Sequence, residues 1–273
     1  MKRLLKRTLT GAAITVAVYL VVAFSHIPLV IRCATAVLCA FSVYEIANAA
    51  KCQDNHALLL GLVAAAIAAA ALPIPGYRWL LQLVFPAAAV VFGYMMAKLD
   101  SCRLDAPVKV AGVALLAVFL FRAIPELRAM ENGLQYLAIS ITLCFVTDVA
   151  AYLVGSRFGR HKLIPKVSPN KTVEGSLAGI AATLVLLLLY GWWLEATGRY
   201  QVDFFLLGTY GVLASIVSQF GDLAMSAVKR ICGVKDFGRL FPGHGGMLDR
   251  FDSHLFCVPF TLLFCVLSGG FLM

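Results

Sequence analysis

The residues most able to do chemistry lie between Ser226 and Asp252, in a stretch flanked by two long apolar runs. This stretch carries five basic residues, three carboxylates, one His and several glycines. Cations neutralise phosphate charge, and glycines let backbone N–H groups approach phosphate oxygens. Carboxylates hold Mg²⁺, which binds through one or two of them together with substrate phosphates. The composition therefore predicts a site for a metal ion and a polyphosphate, which a simple connection between two membrane helices would not require.

Helical spacing extends this site toward the preceding apolar run. Asp222, Ser226 and Lys229 are spaced i, i+4, i+7, with Arg230 beside them, so a helix would place them on one face. Asp249 opens the next apolar run, and it can meet Asp222 if the two helices pack antiparallel. The pair would then hold one Mg²⁺, with Asp236 and Asp252 as outer ligands. The alternative is that Asp249 caps its helix and Asp222 pairs with a Lys.

A second polar segment, residues 155–175, precedes another apolar run. A helix N-terminus surrounded by Ser168, Asn170, Lys171 and Thr172 is typical of an anion site. Thr172 and Glu174 are two residues apart, which is not a clean capping box, so helix capping explains part of the motif but not all of it. The alternative is an ordinary basic loop.

Two further features are candidates for the same site. Asp148 lies within an apolar run, and carboxylates inside membrane helices are usually functional. It is predicted to be a metal ligand, a supporting group or a base, with a structural ion pair as an equal alternative. His244, Gly245 and Gly246 favour phosphate binding over a plain turn. Glu45 receives no role.

Composition fixes the class of protein. The chain has 273 residues, of which 61% are hydrophobic and 14% charged, and its mean hydropathy is +0.88. Soluble domains carry about 25% charged residues, so this is an integral membrane protein. The net charge of +9 is attributed to basic cytoplasmic loops rather than to nucleic-acid binding. The eight cysteines show no zinc spacing.

The apolar runs predict an all-α polytopic membrane protein with about nine transmembrane helices. The predicted spans are 8–26, 28–49, 56–73, 77–97, 108–124, 133–156, 173–196, 203–230 and 250–272. An N-terminus in the cytoplasm places 18 of the 23 Lys and Arg residues on that side, which favours a C-terminus outside. The chemistry is concentrated in the last four spans, so we divide the chain into a scaffold half, 1–130, and a catalytic half, 131–273.

The segment 226–252 also resembles the signature of phosphatidate cytidylyltransferases, or CDP-diacylglycerol synthases. The resemblance is carried by Ser-x-apolar-Lys-Arg from Ser226, by Lys235-Asp236, by Pro-x-His-Gly-Gly from Pro242 and by Asp-Arg-apolar-Asp from Asp249. The Ser-Pro-x-Lys-Thr segment from Ser168 is similar to the same family.

The resemblance implies an Mg²⁺-dependent enzyme of the bacterial cytoplasmic (inner) membrane, with its active site facing the cytoplasm. Its substrates would be CTP and phosphatidic acid, drawn from the cytosol and the lipid bilayer, and its products CDP-diacylglycerol and pyrophosphate. Asp222 and Asp249 match the metal-binding aspartates of the family. The predicted catalytic residues are Asp222, Lys229, Arg230, His244 and Asp249; the substrate-binding residues are Ser168, Asn170, Lys171, Thr172, Ser226, Lys235, Asp236, Gly245, Gly246 and Arg250; and the metal ligands are Asp148, Asp222 and Asp249.

The sequence is also compatible with two other functions. A polyprenol kinase using CTP would transfer the γ-phosphate and release CDP. A transporter would use Asp148 and Asp222 for ions, but the polar residues gather on one side and no pair of broken helices appears in matching halves. The sequence leaves open a homodimer and a monovalent cation such as K⁺ beside Mg²⁺.

Overall fold

The computed structural model describes residues 2–51, 56–72, 74–104, 107–241 and 245–272. Its helices are α1 (Lys2–Ala23), α2 (Pro28–Ala49), α3 (His56–Ala71), α4 (Tyr77–Ala97), α5 (Pro107–Phe121), α6 (Ala123–Arg128), α7 (Gly133–Phe158), α8 (Val173–Ala196), α9 (Phe204–Ile231) and α10 (Leu248–Ser268). A short antiparallel hairpin of β1 (Lys162–Ile164) and β2 (Ser168–Thr172) lies between α7 and α8.

The fold is that of a helical polytopic membrane protein, as predicted. Within the described part of the chain, seven helical segments are long and apolar enough to cross a membrane. These are α2, α4, the continuous unit of α5 and α6, α7, α8, α9 and α10. Two shorter apolar helices, 10–26 and 59–70, coincide with the first and third predicted spans. Large apolar side chains such as Leu83 and Val90 are exposed on the outside of the bundle, where a bilayer would cover them.

The end of α10 differs from the predicted span. The helix ends at Ser268 rather than 272, because Gly269 and Gly270 adopt φ values of 80° and 90°. This left-handed backbone stops a helix. The chain then turns back, and Phe271 O accepts a hydrogen bond from Asp203 N at 3.1 Å.

Close helix packing positions the last four helices. A Cβ on Gly175 of α8 would lie 2.5 Å from Ala151 O of α7, so small residues let these backbones meet, as is common in membranes. A Cβ on Gly221 of α9 would lie 2.8 Å from Asp252 O of α10. The Phe256 ring of α10 lies 5.2 Å from that of Phe220 and 5.4 Å from that of Phe92. These contacts hold α7–α8 and α9–α10 at fixed spacing.

The β1–β2 hairpin was predicted only as a loop, and Glu174 fixes it to α8. The Glu174 carboxylate accepts from Arg160 N at 3.1 Å and from His161 N at 3.2 Å, and it contacts His161 Nδ1 at 2.6 Å. Thr172 caps α8, because its Oγ1 accepts from Gly175 N at 3.2 Å. The hairpin thereby brings the end of β2 beside α7 and α9.

Candidate active site

A cavity of about 700 Å³ lies between α7, α8, α9 and the start of α10. Among the described residues, five carboxylates and four cations line it. The carboxylates are Asp148, Asp222, Asp236, Asp249 and Asp252, and the cations are Lys162, Lys171, Lys229 and Arg250. Asn170 and Thr172 also lie on its wall. Two polar segments more than 50 residues apart in sequence therefore meet in one cavity.

The Lys171–Asp222 pair joins the hairpin to α9. Lys171 Nζ lies 2.5 Å from Asp222 Oδ2, and Ser226 Oγ donates to Asp222 Oδ1 at 3.3 Å. The Lys171 and Asp222 side chains are 24% and 25% exposed and both line the cavity, with Lys171 Nζ itself buried. This is the Lys pairing that the sequence offered as an alternative.

The Lys229–Asp249 pair is more deeply buried and organises the loop before α10. Lys229 Nζ donates to Asp249 Oδ1 at 2.9 Å and lies 3.8 Å from Asp252 Oδ2. The other oxygen, Asp249 Oδ2, accepts from Phe237 N at 2.9 Å and from Gly246 N at 2.8 Å. Both oxygens of Asp249 therefore hold protein groups, one a buried cation and the other two backbone amides.

Asp148 and Asp252 complete the acidic wall. Ser253 Oγ donates to Asp148 Oδ2 at 3.1 Å, and Ser253 N donates to Asp252 Oδ1 at 2.9 Å. Ser253 thus links α7 to α10. Asp148, Asp222 and Asp252 line the same cavity. Like charges gathered in this way favour the binding of a cation among them.

The donor set fits an Mg²⁺ ion that arrives with a phosphate ligand. In the described ranges, no group of three or more His, Cys, Asp or Glu is arranged to hold a metal ion alone. Mg²⁺ needs only one or two protein carboxylates when phosphate oxygens and waters supply the rest. Asp222 and Asp148 suit this role because, among the described residues, their partners are side chains. Asp249 would have to exchange one of its present partners.

Other predicted residues lie around the cavity rather than on it. Arg230 donates from Nε to Val167 O at 3.3 Å and from Nη1 to Val234 O at 3.4 Å, so it ties two loops together. Ser168 belongs to β2 and pairs with Ile164. Gly246 touches the site through its bond to Asp249, and a Cβ on Gly245 would lie 2.8 Å from Asp249 Oδ2. Lys235 lines a neighbouring cavity. His244 lies outside the described residues.

Glu45, to which no role was assigned from the sequence, lies next to the first turn of α10, which carries Asp249. It is 3% exposed, and its two oxygens accept from Met247 N and from Leu248 N, each at 2.8 Å. A carboxylate from α2 thus caps α10, where the helix dipole favours negative charge. Its presence near the end of an apolar span was the available signal, since intramembrane carboxylates are usually functional.

Comparisons with known proteins identify the family of the chain. The model of a family described as "Cytidylyltransferase family" matches residues 5–268. The chain is 40% identical over 129 residues to a phosphatidate cytidylyltransferase of Staphylococcus haemolyticus (strain JCSC1435), covering 47% of this chain and 48% of that protein. It is 39% identical over 156 residues to that of Bacillus subtilis (strain 168), covering 56% of each. The chain spans about half the length of the curated relatives it matches.

Proposed function

Since this chain belongs to the cytidylyltransferase family, we propose that it is a membrane nucleotidyltransferase acting on CTP and phosphatidic acid. The products would be CDP-diacylglycerol and pyrophosphate. The observation that carries the proposal is the cavity in which Lys171, Lys229 and Arg250 face five carboxylates between membrane-spanning helices. Cations and carboxylates in one cavity suit a polyphosphate with its metal ion, and the membrane setting suits a lipid.

The reaction would proceed by attack of the phosphatidic acid phosphate on the α-phosphorus of CTP. An ionised phosphate needs little help from a general base, so the protein's work is positioning and charge neutralisation. Lys171 and Lys229 would exchange their carboxylate partners for phosphate oxygens. Arg250 extends the same basic wall, and the N-terminus of α8 with Asn170 and Thr172 adds an anion-binding end.

Mg²⁺ would be held by Asp222 and Asp148, with Asp252 nearby and Asp249 as the further ligand predicted from the sequence. When bound there, the ion would neutralise phosphate charge and favour displacement of pyrophosphate. Before the substrates bind, Lys229 would keep Asp249 and Asp252 oriented toward the cavity. Binding of a monovalent cation such as K⁺ beside Mg²⁺ stays a prediction, as does the formation of a homodimer.

The lipid would reach the site from the side. Tyr152 lines the cavity and is 74% exposed on α7, on a span whose outer surface a bilayer would cover. The asymmetry of Lys and Arg supports a cytoplasmic position for the cavity. CTP would then enter from the cytosol while phosphatidic acid arrives within the inner leaflet of a bacterial cytoplasmic membrane.

The direct test is incubation of purified protein with labelled CTP and phosphatidic acid. We expect release of pyrophosphate only when both substrates and Mg²⁺ are present, together with a CDP-lipid. Release of CDP with a phosphorylated lipid would instead support a CTP-dependent lipid kinase. Absence of any turnover in correctly folded protein would reject both enzymes.

A further inference from the structure

A second cavity adjoins the first. Its volume is about 650 Å³, and it lies between the end of α2 and residues 234–240. Asp236 lines both cavities, so they meet at this residue. Both volumes lie within the range of about 300–1,000 Å³ that is typical of small-molecule sites.

Phe237 forms the boundary between the two cavities. It is fully buried and lines the second cavity. Lys229 Nζ, which lines the first cavity, lies 5.4 Å from the centre of its ring. Phe237 N is also held by Asp249 at 2.9 Å. The boundary is therefore attached to the Lys229–Asp249 ion pair of the first cavity.

The two cavities differ in chemistry. The first combines four cations with five carboxylates, a composition suited to phosphates and metal. The second offers two of each sign, Lys235 and Arg239 against Glu45 and Asp236, and adds aromatic and amide groups. Phe41, Tyr44 and Asn48 lie on one face of α2 at i, i+3 and i+7. Tyr44 and Asn48 are exposed at that face.

Those groups match a pyrimidine nucleoside better than a phosphate. Aromatic side chains stack on nucleobases of any sequence. An amide side chain both donates and accepts, as the amino group and ring acceptors of cytosine require. A triphosphate that carries Mg²⁺ suits the first cavity better, because Asp148 and Asp222, the carboxylates proposed to hold the ion, line only that cavity.

We propose that the second cavity binds the nucleoside of CTP, with the pyrimidine against Tyr44 and Asn48. The triphosphate would pass Asp236 and enter the first cavity. This inference rests on the proposed use of CTP. It gives α2, in the scaffold half of the chain, the task of choosing the nucleotide, while the last four helices carry out the chemistry.

The test compares binding of CTP and of pyrophosphate, each with Mg²⁺, by calorimetry on purified protein in detergent. Tyr44→Ala and Asn48→Ala alter exposed side chains, so the fold should survive. We expect each to weaken CTP binding roughly tenfold, in line with the measured worth of base stacking and of single hydrogen bonds. Pyrophosphate affinity should stay unchanged. Tyr94→Ala is the matched control, since Tyr94 is 60% exposed and Tyr44 49%, and Tyr94 lines neither cavity.

Turnover supplies an independent readout. Asn48→Ala should raise KM for CTP, leave KM for phosphatidic acid unchanged, and reduce the preference for CTP over UTP. Equal losses of CTP and pyrophosphate affinity in Tyr44→Ala and Asn48→Ala would assign phosphates to the second cavity and overturn the proposal, as would unchanged CTP affinity in both variants. If the wild-type protein binds CTP but releases no pyrophosphate with phosphatidic acid, the proposed reaction fails while the binding comparison still decides the nucleoside site.

Discussion

Replacing the two paired aspartates separates a chemical role from a structural one. Asp222→Asn and Asp249→Asn each remove one negative charge with little change of volume, and both residues line the same cavity. Their surroundings differ. Asp222 is 25% exposed and contacts Lys171 and Ser226, whereas the Asp249 side chain is 2% exposed and holds Lys229 and two backbone amides.

The expected losses of stability follow from those contacts. Partly exposed ion pairs contribute about 0–1 kcal/mol, so Asp222→Asn should lower the free energy of unfolding by no more than about 1 kcal/mol. Removing one partner of a buried pair costs about 3–5 kcal/mol because the other charge stays buried without compensation. Asp249→Asn also sets an amide N–H₂ against either Lys229 or two N–H donors. We therefore expect it to be the more destabilising variant by at least about 2 kcal/mol.

The expected loss of activity is large for both variants, and the metal dependence tests whether Asp222 is a ligand. If Asp222 is a ligand, Asp222→Asn should lower turnover at least about a hundredfold, equivalent to roughly 3 kcal/mol of barrier, and should raise the Mg²⁺ concentration required. The assay is turnover against Mg²⁺ concentration, with thermal unfolding of the same samples in detergent. Asp203→Asn is a matched control, since Asp203 caps α9 far from the cavity. Near-normal turnover with an unchanged Mg²⁺ requirement in Asp222→Asn would refute its role as a ligand.

Three further predictions follow from the geometry. Glu45→Gln should lower the stability of the start of α10 by about 1–3 kcal/mol and reduce turnover, because it places an amide donor against a backbone donor. The control is Glu131→Gln, which changes an exposed residue. Equal stability and turnover in the two variants would contradict the prediction. Gly175→Ala should lower the unfolding temperature and activity together, whereas Gly61→Ala, with open space around it, should not; an unaffected Gly175→Ala would mean that α7 and α8 separate easily. Cysteines introduced in 157–172 and in 231–248 of a cysteine-free variant should react only from the cytoplasmic side, and labelling of one segment from outside would place the two polar segments on opposite faces of the membrane.

Much of the fold could be predicted because apolar runs of sufficient length specify membrane helices. The bounds predicted for the second, fourth and seventh spans, 28–49, 77–97 and 173–196, agree with α2, α4 and α8. The end predicted for the last span, residue 272, was wrong because two glycines in left-handed backbone stop the helix inside an otherwise apolar run. The hairpin was missed because its fixation by Glu174 depends on backbone amides 13 and 14 residues away.

The site was predictable only as far as local spacing reaches. The i, i+4 spacing of Asp222 and Ser226 predicted that they share a helix face, and their side chains are hydrogen-bonded in the structure. The partner of Lys229 lies 20 residues away and that of Glu45 more than 200 residues away. Such pairings depend on how helices pack and leave no periodic pattern in one sequence. The roles of the predicted ligands in metal binding stay predictions.

The cap that Glu45 places on α10 has a consequence for the synthesis of the protein. Glu45 emerges from the ribosome about 200 residues before Met247 and Leu248, the groups that bind it. At about 5–20 residues per second, this delay is on the order of 10–40 s. During that time a carboxylate that ends up buried has no partner, and an unpaired charge inside a bilayer costs several kcal/mol. The Glu45 carboxyl group must therefore either stay in contact with water or bind a proton until α10 has been inserted.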